Sequence, residues 1–292
     1  MKECHCCAHE CGVDREVRKG FCRMGVRPVV ARAGLHFWEE PCISGTKGSG
    51  TVFFSGCTLR CVYCQNYEIS SEGRGREISI SRLREIYEEL IAQGAHNINL
   101  VTPTHFTEAI LQSLEQPLPV PVVYNTNGYE SVENLKRLEG RIQIYLPDVK
   151  YSDDALALRY SHAKEYFQTA KRAVREMFRQ TGSYRISEET GLLERGVVIR
   201  HLLLPNHVEN TLRVIDWVAE TFDPGEVLFS LMRQYVPHGR AAEYPELNRR
   251  VTDEEYQRVE QHLYDSGIED GFVQDGESAS DSFIPAFDGT GV

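Results

Sequence analysis

No stretch of the sequence approaches the roughly 18 consecutive apolar residues of a membrane-spanning helix, which argues against a helical membrane protein. The opening "MKECHCCAHECG" has no apolar run of the kind that exports a chain. A signal peptide is therefore not expected, and the expected compartment is the cytoplasm. Positive charge is in deficit: 32 Lys and Arg stand against 43 Asp and Glu, a formal net charge of −11. Nucleic-acid binding needs a basic face, so it is disfavoured. One basic run, "KRAVREMFR" (171–179), reads as a solvated helix face. Cysteine is missing from everything beyond residue 64. A secreted scaffold stapled by disulfides would spread its cysteines along the chain, so clustering points instead to metal binding or redox chemistry.

The nine cysteines that are present crowd into two groups plus Cys42. Cys57, Cys61 and Cys64 follow the spacing Cys-x3-Cys-x2-Cys. Such a loop can wrap one metal cluster and present three thiolates to it. Structural zinc normally takes four protein ligands. A four-iron cubane would take these three and leave one iron open for chemistry. Cys4, Cys7, Cys11 and Cys22 form the second group, which suits structural zinc or an auxiliary iron–sulfur cluster, with Cys6, His5 and His9 as further donors. Cys42 is isolated and reads as a buried thiol.

From residue 51 onward the 292-residue chain alternates strand and helix patterns. Strands are expected at 51–55, 97–101, 120–125, 141–150, 196–205 and 226–232. Helices are expected at 81–94, near 106–115, near 130–138, from about 153 to 181, and near 208–222. A last helix starts at "TDEE", where Thr252 and Glu255 suit a capping box. Six βα units in succession imply a parallel sheet, open or barrel-like, with function at the carboxyl ends of the strands. Those ends carry Cys57, Cys61 and Cys64; Thr102, Thr104 and His105; Asn125, Thr126 and Asn127; Asp148 and Lys150; His201; and Gln234 and Tyr235. Asp148 and Lys150 alternate with apolar neighbours, so they are expected to point the same way. Residues 1–50 read as a cysteine-rich metal-binding appendage and connector, 51–270 as the main domain, and 271–292 as a C-terminal tail with Phe283, Ile284 and Phe287 as anchors.

Cys57-x3-Cys61-x-Tyr63-Cys64 resembles the signature of the radical S-adenosylmethionine (radical SAM) superfamily. More narrowly, "WEEPCISGTKGSGTVFFSGCTLRCVYCQNYEIS", "NINLVTPTHF", "YNTNGYE", "IYLPDVKYSDDA", "RGVVIRHLLLP" and "SLMRQYVP" resemble the pyruvate formate-lyase activating enzyme-like proteins, in the branch with an N-terminal cysteine motif. The resemblance covers nearly the whole chain and implies a partial (β/α)6 barrel. It implies a [4Fe-4S] cluster on Cys57, Cys61 and Cys64, with S-adenosylmethionine (SAM) at the open iron. One electron from the reduced cluster then cleaves the sulfonium to a 5′-deoxyadenosyl radical that abstracts hydrogen. Tyr63, Thr102, Thr104, Asn125, Thr126, Asn127, Asp148 and His201 are the implied cofactor contacts, and Asp148 and Lys150 the implied catalytic pair.

Two places depart from the family pattern. Val101-Thr102-Pro103-Thr104 stands where a Gly-Gly-Glu-like turn is usual, and Asn125 where an Asp is usual. The implied partners are an electron donor such as flavodoxin or ferredoxin and a glycyl radical enzyme as protein substrate. A small-molecule substrate or another peptide modification is an alternative within the superfamily, and a zinc-stapled binding module is an alternative of another class.

Overall fold

The computed structural model describes residues 3–274 and 284–292. The strands are β1 (Val29–His36), β2 (Ser49–Phe54), β3 (Arg76–Glu77), β4 (Ile98–Val101), β5 (Val122–Thr126), β6 (Ile144–Pro147), β7 (Arg185–Ile186), β8 (Leu193–Leu202), β9 (Leu228–Met232) and β10 (Gly271–Val273). The α-helices are α1 (Pro41–Ser44), α2 (Tyr67–Ser70), α3 (Ile80–Ala92), α4 (Thr107–Ser113), α5 (Val132–Lys136), α6 (Asp154–Ser161), α7 (Tyr166–Thr181), α8 (Val208–Thr221) and α9 (Asp253–Asp265). No helix among the described residues is long and apolar enough to cross a membrane.

The sheet runs β10-β9-β8-β6-β5-β4-β2-β1-β3, with β7 paired to β8. From β2 to β10 the neighbours along this path are parallel, whereas β1 pairs antiparallel with both β2 and β3. The two ends of the path do not pair, so the parallel sheet expected from the alternating pattern is open, as in the partial barrel that the resemblance implies. Parallel strands are covered on both faces and become apolar throughout. Val52, Phe54, Leu100, Tyr124, Tyr145, Val197 and Ile199 face the helices. Val123, Ile144, Leu146, Val198 and Leu228 face inward and pack on Cys42 and Ile43 of α1, which plugs one end of the interior.

Three expectations change. The stretch 153–181 is two helices, because His162 (φ 55°) and Glu165 (φ 49°) take left-handed conformations between α6 and α7. Residues 29–36 and 49–50 belong to the sheet, so part of the expected appendage is barrel edge. Residues 271–273 likewise form β10 rather than tail. The last residues lie along β1: Ala33 N–H donates to the Thr290 carbonyl and Gly289 N–H to the Ala31 carbonyl. Phe287 meets Phe53 edge-on at 5.5 Å. Phe283 lies outside the described residues.

Candidate active site

Cys57, Cys61 and Cys64 sit in the loop that leaves β2. Its first turn needs Gly56, which has φ 80° and where a Cβ would lie 2.7 Å from the Cys22 carbonyl oxygen. Val62 N–H donates to the Tyr160 carbonyl and Arg240 N–H to the Val62 carbonyl, pinning the loop across the barrel mouth. The three cysteines line one cavity of about 620 Å³. Hydrogen-bond donors point at two of their sulfurs. Leu59 N–H and Asn127 Nδ2 each stand 3.4 Å from Cys57 Sγ, and Ser161 Oγ donates to Cys61 Sγ at 2.9 Å. Burial pushes the Cys61 thiol up to about 12 and the Cys64 thiol upward as well, so a metal taking them would displace protons.

Opposite the cysteines lies a buried ionic network. Arg200 donates to Asp148 (2.8 Å), Glu39 (2.9 Å) and Asn125 (2.7 Å). Lys150 Nζ donates to Asp148 Oδ2 at 2.7 Å. Asn99 and Asn125 amides donate to Glu39 Oε1 at 2.9 and 3.2 Å. Burial alone would raise the Asp148 carboxyl, but Arg200 and Lys150 outweigh it and hold it below the ordinary range. Glu40, beside Arg200, is driven the other way by burial, reinforced by Glu39.

The structure brings most of the expected residues together. Tyr63, Thr102, Asn125, Thr126, Asn127, Asp148 and Lys150 all line the cavity with the three cysteines. Thr102 does so from a left-handed conformation (φ 58°), unusual for a β-branched residue, with its N–H on the Asn125 carbonyl. Thr104 is not among the lining residues: its hydroxyl donates to buried Glu130 at 2.6 Å. His201 is placed differently from the ribose contact implied for it. It is fully buried on the helix side of β8, with Nδ1 2.5 Å from the Val149 carbonyl and Nε2 2.9 Å from the Thr211 hydroxyl. Burial holds its pKa down to about 4. The cause is strand parity: Arg200, one residue earlier, takes the inward position. Arg200, Glu39, Glu40 and Ser161 were not singled out from the sequence. The parity of "VVIRHLLL" could have selected Arg200, since Val198 is on the inner face.

The N-terminal cysteines pack beside this loop. Cys7 pairs by a β-bridge with Glu130, and His9 Nε2 lies 2.6 Å from the Thr58 carbonyl. A Cβ on Gly20 would lie 3.2 Å from Cys11 Sγ and 3.7 Å from Cys22 Sγ, so these two sulfurs flank one point. Cys4 interacts with Cys6, which holds the Cys4 thiol down to about 5. The cysteines are free of disulfides. Among the described residues no three His, Cys, Asp or Glu side chains converge closely enough to hold a single metal ion.

The triad nonetheless fits an iron–sulfur cluster in its chemistry. Three thiols meet one cavity, and the sulfurs of Cys57 and Cys61 are supplied with hydrogen-bond donors.

The model of the Radical SAM superfamily matches residues 51–218. An uncharacterized protein of Methanocaldococcus jannaschii is 34% identical over 269 residues, covering 89% of this chain and 73% of that protein. The 7-carboxy-7-deazaguanine synthase of Methanothermobacter thermautotrophicus is 30% identical over 104 residues, 35% of this chain and 41% of the synthase. Among solved structures, methylornithine synthase superposes with TM-score 0.50 at 14% identity, over 72% of this chain and 60% of that one. Spore photoproduct lyase superposes with TM-score 0.50 at 12% identity, over 76% and 74%. At these identities the two structures bear on the fold alone. The chain spans less than two thirds of the methylornithine synthase chain.

Proposed function

Because the chain belongs to the radical SAM superfamily, we propose that Cys57, Cys61 and Cys64 hold a [4Fe-4S] cluster and that the adjoining cavity receives SAM, for hydrogen abstraction of the kind performed by glycyl-radical activating enzymes. When bound, cluster and SAM together supply reductive cleavage of a sulfonium C–S bond and hydrogen-atom abstraction. The protein's part is to orient and to exclude water. Asp148, Lys150 and Arg200 form a fixed polar wall facing the thiols, and apolar strand residues close the floor behind it. The observation that carries this reading is that the three thiols and the Asp148–Lys150–Arg200 network open into one cavity.

The activase reading is supported by the six segments quoted above, which are spread from Trp38 to Pro237. A small polar substrate is the second reading. The buried Arg200–Glu39–Asp148 network favours it, because such a network can hydrogen-bond a polar group away from water. The N-terminal Cys4, Cys7, Cys11 and Cys22 would take a second metal, zinc or an iron–sulfur cluster. An electron donor of the flavodoxin or ferredoxin class completes the system.

Anaerobic reconstitution with iron and sulfide, followed by SAM and dithionite, tests the reaction class. 5′-Deoxyadenosine is expected from the native chain and not from Cys61→Ala. A colourless zinc protein without SAM cleavage would instead support a zinc-stapled binding module. For the substrate, proteins labelled with α-deuterated glycine are the probe: deuterium in 5′-deoxyadenosine supports the activase reading, and its absence alongside turnover on small polar compounds supports the other.

A further inference from the structure

A chain of buried hydroxyls runs from the cavity wall to one thiol of the triad. Tyr63 Oη lies 2.7 Å from Tyr151 Oη, and Tyr151 Oη lies 2.6 Å from Ser161 Oγ. Ser161 Oγ donates to Cys61 Sγ at 2.9 Å. Tyr151 and Ser161 are fully buried, and Tyr63 and Cys61 nearly so. A hydroxyl this deep is costly unless bonded, and each here is bonded by the next. The backbone fixes the arrangement. Val62 N–H donates to the Tyr160 carbonyl at 2.9 Å, holding the residue after Cys61 against the residue before Ser161. Helix α6 ends at Ser161, and His162 then turns left-handed.

The direction of this chain is set at the sulfur end. A metal-bound thiolate has lone pairs and no proton, so it only accepts. Ser161 must then donate to Cys61, Tyr151 must donate to Ser161, and Tyr63 must donate to Tyr151. Each O–H polarises the one it leads to, and a bond to a charged acceptor is stronger than one to a neutral acceptor. An added electron increases negative charge on the sulfurs. A donor aimed at a sulfur therefore stabilises the reduced state more than the oxidised one, and such bonds are among the groups that set iron–sulfur potentials.

We propose that Ser161, oriented by Tyr151 and Tyr63, is a positioning residue that raises the reduction potential of the metal centre through its hydrogen bond to Cys61. The proposal rests on the cluster assignment made above. The electron comes from an external low-potential one-electron donor; within the protein no bond forms or breaks, and no proton leaves the hydroxyl chain.

The test is a redox titration followed by electron paramagnetic resonance on the full-length, anaerobically reconstituted protein, with dithionite as reductant. Loaded Ser161→Ala is expected to lower the reduced-to-oxidised ratio at a fixed potential about tenfold, which is ~59 mV for a one-electron couple. Ser161→Thr is expected to restore the native midpoint, because it keeps the hydroxyl. Tyr151→Phe is expected to give a smaller shift in the same direction. A native midpoint in loaded Ser161→Ala overturns the proposal. If Ser161→Ala takes up no iron, Tyr151→Phe decides: a lowered midpoint supports the proposal and a native one overturns it. Iron and sulfide are measured first on the native chain. A native chain that binds neither removes the cluster assignment itself, whereas a loaded protein indifferent to Ser161 removes this proposal alone.

Discussion

Asp148 is the residue on which the polar wall turns, since both Arg200 and Lys150 donate to it. Removing one partner of a buried ion pair leaves the others uncompensated, at a cost of about 3–5 kcal/mol. Asp148→Ala should therefore lower thermal stability and weaken SAM binding by tenfold or more while iron content stays native, because no cysteine is touched. Equilibrium dialysis with labelled SAM alongside iron analysis checks this; unchanged affinity would remove Asp148 from the cofactor site. Glu130 carries a different prediction. It is buried beneath the hydroxyls of Thr104 and Thr126, and burial, only partly opposed by those hydrogen bonds, raises its pKa to about 7. Its folded pKa lies above its unfolded value of 4.5. Between about pH 4.5 and pH 7 the folded state holds a proton that the unfolded state has lost, so this group's contribution falls as pH rises through that window. Above it, Glu130→Gln should be more stable than the native chain by on the order of 3 kcal/mol, and near pH 4.5 the two should converge. Denaturant titrations at pH 5 and pH 8 decide it, and a pH-independent difference would contradict the raised pKa.

Loop geometry at the level of elements governs whether the cysteines can converge. Gly56 combines φ 80° with close approach: a Cβ there would lie 2.4 Å from Met24 Cγ and 2.7 Å from the Cys22 carbonyl oxygen. Gly56→Ala should thus push the N-terminal segment away from the triad loop and reduce iron incorporation, whereas Gly140→Ala, at similar φ but with open space around it, should cost only the backbone strain. Iron per chain and melting temperature for the two variants separate contact from conformation. The break between α6 and α7 has a comparable role. Its apolar positions keep helical spacing across the junction, yet left-handed His162 and Glu165 end one helix and restart the next. That break brings the end of α6 to the cysteine loop and Ser161 to Cys61.

Across the whole molecule, the N-terminal segment is packed against the barrel mouth. Cys7 bridges to Glu130, His9 reaches Thr58, and Arg15 donates to the Met24, Gly25 and His105 carbonyls. If Cys4, Cys7, Cys11 and Cys22 close their own site, a chain carrying Cys57→Ala, Cys61→Ala and Cys64→Ala together should keep about one metal per chain, because four thiols complete a tetrahedral site without help from the barrel. Elemental analysis gives the answer and the identity; a folded, metal-free triple variant would exclude a second centre. The sequence by itself determined the six successive βα units, the three-cysteine loop at the first parallel strand, and the polar strand ends of Asn125, Asn127, Asp148 and Lys150. These are local: periodicity, capping and spacing are written within a few residues of each other, as the capping box of Thr252 and Glu255 illustrates. Only the tertiary structure decided that Arg200 rather than His201 faces the cavity, that Glu39 meets Arg200, and that Ser161 meets Cys61. The physical reason is the same in each case. A one-residue change of strand parity reverses which side chain points inward, a left-handed residue can end a helix without disturbing its apolar pattern, and the partners of a buried charge come from segments far apart in sequence.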